Sequence, residues 1–383
     1  MQDLPLENKD MSRKKDSSWI LPHTLRMIAW EVTRSCNLAC KHCRASASRG
    51  PYEGEQSTEK CMRVIDEIVL VGNPVIILTG GEPLLREDIY DLAAYGEDKG
   101  LRMVLATNGT LMTDSIVEKL IKSGIKRVSV SIDGADAKSH DDFRGVQGAF
   151  AGTMRGIESM KRVGMEFQIN TTITKGNLSE ITSIHDLAHH VGAAAHHIFL
   201  LVPTGRGKEM ADQEISPLQY EETLNWFFET GLKCDMQLKA TCAPHYYRIF
   251  HQRQKELQNA TGKMATERTK DVHSLHSMTR GCMGGSSFCF ISHTGQIQPC
   301  GYLEIDCGQL KEKSFAEIWE KSPVFRDLRD LSLYKGKCGR CEFLNVCGGC
   351  RARAYEVTGD YLAEEPYCIY EPGKAEKPSY LKG

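Results

Sequence analysis

The chain has 383 residues, a formal net charge of -2, and 41% hydrophobic against 26% charged residues. That composition fits a globular protein of two or three units, and the balanced charge argues against a general nucleic-acid binder. No apolar run reaches the roughly 18 residues of a membrane span, and the polar opening has no secretory h-region, so the expected location is cytoplasmic. In such a setting 15 cysteines point to metal binding rather than disulfides.

Residues 1–24 read as a flexible polar tail. Short β-rich runs follow at Met27–Val32, Val75–Leu78, Met103–Thr107, Val128–Ile132, Phe167–Ile173 and His197–Val202. Amphipathic helical patterns lie between them near 58–71, 87–99, 114–123, 149–163 and 179–191, and Gly100, Gly124, Gly164 and Gly192 stand where C′ glycines would end four of these. Strand and helix in alternation predict parallel βαβ units. Six of them make an α/β fold, a partial (β/α)6 barrel over 25–215 with reactive loops at the carboxyl ends of its strands. Ser216, Pro217 and Gln219 form a capping box that opens a helical linker over 216–280. Glycine and cysteine then dominate a small metal-stapled domain over 281–372, followed by a tail over 373–383.

Cys36, Cys40 and Cys43 sit in CNLACKHC, just after the first strand. Three thiolates from one loop can hold an iron–sulfur cubane and leave one iron open to an exogenous ligand. A structural zinc would need a fourth ligand, and His42 is the nearby candidate. The spacing resembles the radical S-adenosylmethionine (SAM) enzymes. Three further matches come in that family's order: Gly80-Gly81-Glu82-Pro83 after the second strand, Ser131-Ile-Asp133-Gly134 after the fourth, and Asn170 with Thr172 on the fifth. The resemblance implies a catalytic [4Fe-4S] cluster on Cys36, Cys40 and Cys43. It implies SAM contacts from Gly80, Gly81, Glu82, Ser131, Asp133 and Asn170, with Arg144 near a cofactor carboxylate.

The C-terminal cysteines resemble the SPASM extension of these enzymes, which holds auxiliary [4Fe-4S] clusters. Carried over by position, Cys282, Cys289, Cys300 and Cys350 would hold one cluster, with Cys307 a competitor for the place of Cys289. Cys338, Cys341, Cys347 and Cys368 would hold the other, leaving Cys61, Cys234, Cys242 and Cys307 free. Two residues, Gly348 and Gly349, stand where the family usually has three. The alternative is a zinc ribbon on Cys338, Cys341, Cys347 and Cys350.

From about Trp30 to Pro372 the chain resembles the haem-forming branch of the family, the anaerobic haem b synthases. WEVTRSCNLACKHCRASA, LVPTGRGKEM, KATCAPHYYR and GGCRARAYEVTGDYLAEEPYC carry that resemblance. It implies oxidative decarboxylation of two propionates of iron-coproporphyrin III, with an external low-potential electron donor. Substrate contacts are expected from Arg206, Lys208, His245 (as an iron ligand), Tyr246 and Arg248, with Lys239, Arg280, Arg351 and Arg353 as further cations. The deacetylase of the same pathway and the haem d1 enzymes are close alternatives. A SPASM peptide maturase is a distant one, since only about 24 residues precede the first strand. A purely electron-transferring iron–sulfur protein would not need the GGEP and SIDG motifs.

Overall fold

The computed structural model describes residues 23–261 and 280–373. Of the tails expected over 1–24 and 373–383, residues 1–22 and 374–383 lie outside these, as does the linker segment 262–279. Period-2 alternation builds the strands. In β2 (Val75–Gly80), Ile76 and Leu78 are buried under helices while Val75, Ile77 and Thr79 face an interior cavity. β1 (Met27–Thr33), β3 (Arg102–Thr107), β4 (Val128–Ser131), β5 (Phe167–Ile173) and β6 (Ala195–Leu200) join it as parallel neighbours in chain order.

The helices α1 (Thr58–Val69), α2 (Ile89–Asp98), α3 (Asp114–Lys122), α4 (Ala137–Arg144), α5 (Ala149–Val163) and α6 (Ile181–His190) alternate with these strands. In α1, Ser57 accepts a bond from the Lys60 amide at the N-terminus, and Cys61, Val64, Ile65 and Ile68 form one buried stripe. The four glycines expected at helix ends all have positive φ.

The structure adds a seventh parallel strand to the six expected. α7 (Pro217–Gly231) opens with the capping box on Ser216, and β7 (Gln237–Thr241) then pairs with β6. This stretch was expected to be helical linker. Its alternation is that of a strand: Leu238 and Ala240 are buried, while Gln237, Lys239 and Thr241 line the cavity. After α8 (His245–Thr261), the cysteine-rich part joins the same sheet. β8 (Phe288–Ile291) runs parallel beside β1, and β9 (Gln296–Gln298) and β10 (Gly308–Gln309) extend it antiparallel. α9 (Phe315–Lys321), α10 (Pro323–Arg329), α11 (Gly336–Gly339) and α12 (Arg351–Thr358) complete this part. Among the described residues no helix is long and apolar enough to cross a membrane.

Glu31 ties these pieces together. It lies on β1 with no exposed surface, and it binds His293 Nδ1 at 2.7 Å, Arg44 Nη2 at 2.5 Å and Arg34 Nε at 3.2 Å. Burial pushes its carboxyl up, but the bond to His293 and the charges of Arg44 and Arg34 more than offset this and hold it at about 2. A carboxyl depressed below its unfolded value stabilises the fold above that value and loses the contribution as pH falls through the folded one. Glu31→Gln is therefore expected to lower the unfolding free energy by about 3 kcal/mol at neutral pH, from about 1.4 kcal/mol per pK unit. The gap from the wild type should close between pH 4.5 and about 2. Urea melts of both proteins across that range check it, and equal midpoints at neutral pH would refute it.

Candidate active site

The three cysteines of the first motif occupy the loop that leaves β1 at the carboxyl ends of the strands. The Cys36 amide closes this loop by donating to Ser48 O at 2.8 Å. Arg206, expected on the substrate, is instead the loop's clamp. Its amide donates to Cys43 O at 3.0 Å, its Nε to Cys40 O at 2.7 Å, and Nη1 and Nη2 to Ala47 O at 3.3 and 3.2 Å. All three of its guanidinium nitrogens already donate to that loop.

Each sulfur of the trio has a donor. Leu38 N stands 3.4 Å from Cys36 Sγ, Ala47 N 3.3 Å from Cys43 Sγ, and Arg144 Nη1 3.6 Å from Cys40 Sγ. Such donors suit iron-bound thiolates and tune a cluster's potential. Burial pushes the Cys36 thiol up to about 11, with Glu82, Cys40 and Cys43 adding to the effect, and burial also raises Cys40. Loading metal here therefore releases protons. The zinc alternative finds no support: His42 stacks on Phe143 at 4.4 Å, and no three His, Cys, Asp or Glu among the described residues are placed so that they could hold one metal ion. Thiolates at the corners of a cubane stand wider apart than the ligands of one zinc.

The glycines of the second motif let two loops touch. A Cβ on Gly80 would lie 2.1 Å from Thr33 O, and one on Gly81 would lie 2.3 Å from Ser35 O. Both glycines line the cavity beside the cysteines, as do Ser131, Asn170 and Arg144. Glu82 and Asp133 do not. Glu82 is enclosed, accepting from Leu84 N, Thr107 Oγ1 and Asn108 N at 3.1, 2.8 and 2.8 Å, so it fixes the loop after β3. Burial pushes its carboxyl up to about 7 against those bonds. Asp133 accepts from Thr172 N at 2.6 Å and pairs with Arg144, which carries that guanidinium to Cys40.

The C-terminal cysteines form two groups, and one departs from the expected set. Cys338, Cys341, Cys347 and Cys368 line one small pocket, as the carry-over implies. Glu365 N and Arg351 Nη2 approach Cys338 Sγ at 3.4 and 3.6 Å, and Gly349 N approaches Cys347 Sγ at 3.4 Å. Cys282, Cys300 and Cys350 face the large cavity, but Cys289 does not join them. Phe288 and Phe290 line that cavity, so Cys289 between them on β8 points to the opposite side, into the core. The fourth sulfur is Cys242, one residue beyond β7, which was expected to be free. It lines the cavity, and after burial the charges of Cys350, Cys300 and Cys282 push its thiol up.

Gly348 and Gly349 explain how two residues serve where three are usual. Both have positive φ, and a Cβ on either would strike Arg280 or Arg351. The turn sends Cys347 into one group and Cys350 into the other.

The cavity has a volume of about 790 Å³. Phe199, Tyr247, Met283, Phe288, Phe290 and Tyr302 give it broad apolar walls, and no Asp or Glu among the described residues lines it. Three residues expected at the substrate lie elsewhere. His245 is fully buried against the small cysteine pocket, 4.0 Å from Glu365, with neither ring nitrogen hydrogen-bonded among the described residues. Arg248 lines the same pocket and is paired with Glu221 at 2.5 Å, and Tyr246 packs in the core against Phe227. His245 and Arg248 at the start of α8 thus face the small cysteine pocket rather than the cavity, which Tyr247 lines. Lys208 is exposed and outside the cavity lining. Tyr247 and His197 do line it, though neither was among the expected substrate contacts; inward alternation on β6 was the available signal for His197.

Residues 30–188 match the Radical SAM superfamily, and residues 282–350 match the SPASM iron-sulfur cluster-binding domain. The chain is 56% identical over 349 residues to the AdoMet-dependent heme synthase of Nitratidesulfovibrio vulgaris, covering 91% of this chain and 93% of that one. It is 53% identical to the AdoMet-dependent heme synthase of Methanosarcina barkeri, over 91% and 97% of the two chains. The Fe-coproporphyrin III synthase of the same organism is 32% identical over 92% of each chain. Among solved structures, Streptococcus suis SuiB bound to the precursor peptide SuiA shares the fold, with a TM-score of 0.68 over 91% of this chain and 77% of that one at 18% identity.

Proposed function

Because the chain belongs to the radical SAM enzymes with a SPASM domain, in the family of the AdoMet-dependent heme synthases, we propose that it converts iron-coproporphyrin III to haem b. Two propionates would be oxidatively decarboxylated to vinyl groups. The observation that carries this assignment is one cavity of about 790 Å³ lined both by Cys36, Cys40 and Cys43 and by Cys242, Cys282, Cys300 and Cys350. That volume lies within the range of cofactor-sized sites.

When bound, SAM with the first cluster supplies radical hydrogen abstraction, and the auxiliary clusters supply a place for the electron left after carbon dioxide departs. Gly80, Gly81, Ser131, Asn170 and Arg144 line the part of the cavity suited to SAM, and Arg206 keeps the cysteine loop closed. Cys338, Cys341, Cys347 and Cys368 would hold the second auxiliary cluster, set back from the cavity. The aromatic walls offer flat apolar surface to a macrocycle and exclude water from it.

Anaerobic incubation of the reconstituted protein with SAM, a low-potential reductant and iron-coproporphyrin III tests the proposal by mass spectrometry. Two successive losses of the mass of HCOOH, each matched by one 5′-deoxyadenosine, are expected. SAM cleavage with the porphyrin untouched would refute the substrate and turn attention to the deacetylase reaction.

A further inference from the structure

Among the described residues the cavity is lined by six cations and no carboxylate, and three of the cations already have a carboxylate partner. Arg44 is paired with Glu31, Arg144 with Asp133, and Arg127 with Glu166. Arg351 donates to Gly349 O, Tyr361 O, Ala363 O and Cys338 Sγ. Arg102 is exposed at the amino end of β3, the opposite rim from the cysteines. Lys239 is different: it projects into the barrel from β7, and no hydrogen bond or ion pair engages it among the described residues.

Strand register fixes what surrounds it. Ser131, Asn170, His197 and Lys239 are successive partners across β4, β5, β6 and β7, one inward row that runs from the expected SAM side to the edge of the sheet. The row beneath holds Ser129, Gln168 and Gln237, all uncharged. Burial alone lowers the Lys239 ammonium, with no neighbouring carboxylate to raise it. A desolvated ammonium facing an apolar-walled cavity is unfavourable until an anion arrives. Its compact charge and three rotatable donors suit one carboxylate group.

Resting on the tetrapyrrole assignment above, we propose that Lys239 anchors one propionate of the porphyrin that survives the reaction. The choice between surviving and departing propionates follows from charge. Loss of carbon dioxide disperses the carboxylate's negative charge, so a cation paired with a departing group would stabilise the ground state more than the transition state. A cation on a surviving propionate carries no such penalty. It fixes which edge of the macrocycle points toward Cys36, Cys40 and Cys43, and so which propionates react.

The test is equilibrium binding to the anaerobic, reconstituted wild type, Lys239→Gln and Lys239→Arg, each first shown to hold the same iron content. Three probes are titrated separately: iron-coproporphyrin III and haem b by their Soret bands, and SAM by equilibrium dialysis. Haem b keeps only the two surviving propionates. Lys239→Gln is expected to weaken both porphyrins by a similar factor, about 10- to 100-fold for a lost charge-assisted bond. Lys239→Arg should stay within a few-fold of the wild type, and SAM binding should not change. Weakening of iron-coproporphyrin III alone would overturn the proposal by placing Lys239 on a departing group. Weakening of SAM alone would overturn it by assigning Lys239 to the cofactor's carboxylate, and unchanged binding of all three would overturn it outright. A wild type that binds neither porphyrin would remove the tetrapyrrole assignment and this proposal with it, a result distinct from a defect confined to the variants.

Discussion

Cys242→Ala is expected to remove one cluster's worth of iron, about four atoms per chain, while Cys289→Ala leaves the iron content unchanged. Position in the chain argues the reverse, because Cys289 lies between Cys282 and Cys300 whereas Cys242 is 40 residues upstream of Cys282. The side chains decide it. Cys242, Cys282, Cys300 and Cys350 share the cavity wall, and Cys289 is on the far face of β8 with the core. Its thiol is pushed up first by burial and then by Cys307, the mark of a core cysteine with another thiol nearby.

The backbone at Cys242 supports its selection for a ligand role. Its φ is +56, a left-handed conformation that a residue with a Cβ adopts only when the surroundings impose it. They do so through its carbonyl, which accepts from Tyr220 Oη at 2.8 Å and Arg353 Nη1 at 3.1 Å. Iron analysis and the electron paramagnetic resonance of the reduced proteins check the prediction. Full iron in Cys242→Ala with loss in Cys289→Ala would restore the ligand set expected from sequence order.

Much of the barrel was legible because its signals are local. Ile76 and Leu78 alternate with Val75, Ile77 and Thr79, and that period alone identifies β2 as a strand with one face under helices and one toward the interior. The C′ glycines closed their helices for an equally local reason. β7 was lost because its inward face is polar. Gln237, Lys239 and Thr241 resemble a solvated surface until the cavity they line is known.

The cysteine trio was readable from spacing, but the auxiliary set needed the fold. Cys242 reaches Cys350 only because β7 and the turn before α12 end at the same rim. The same limit explains Arg206, Arg248 and His245. A cation or a histidine beside a glycine-rich or aromatic segment advertises chemistry, yet carbonyls of the cysteine loop claim the first, and Glu221 holds the second beside the auxiliary cysteines. His245 on the first turn of α8 faces that same small pocket.

Arg353→Met is expected to cost about 3–5 kcal/mol of stability, the penalty for breaking buried charge pairs from one side. Arg353 was a candidate substrate cation, but it lies outside the cavity lining and is 1% exposed. Its Nε pairs with Glu214 at 3.4 Å and its Nη1 with Glu365 at 3.8 Å. It also donates to Leu200 O at 3.3 Å, Leu201 O at 2.8 Å, Cys242 O at 3.1 Å and Tyr220 Oη at 3.3 Å. One side chain from α12 therefore ties the end of β6, the chain before α7 and the Cys242 turn to the cysteine-rich part. Methionine keeps much of the volume and none of the donors, so two buried carboxylates lose their cation together. Burial already pushes Glu214 up against the opposing charge of Arg353, and without that charge its proton affinity should rise further. The loss of stability should thus be larger at neutral pH than under acid conditions, where Glu214 is protonated in either protein. Urea melts at two pH values measure both effects, with iron content reporting whether the Cys242 turn survives. A variant as stable as the wild type at neutral pH would show that the buried network contributes no net stability, and would leave the left-handed turn at Cys242 to be held by Tyr220 alone.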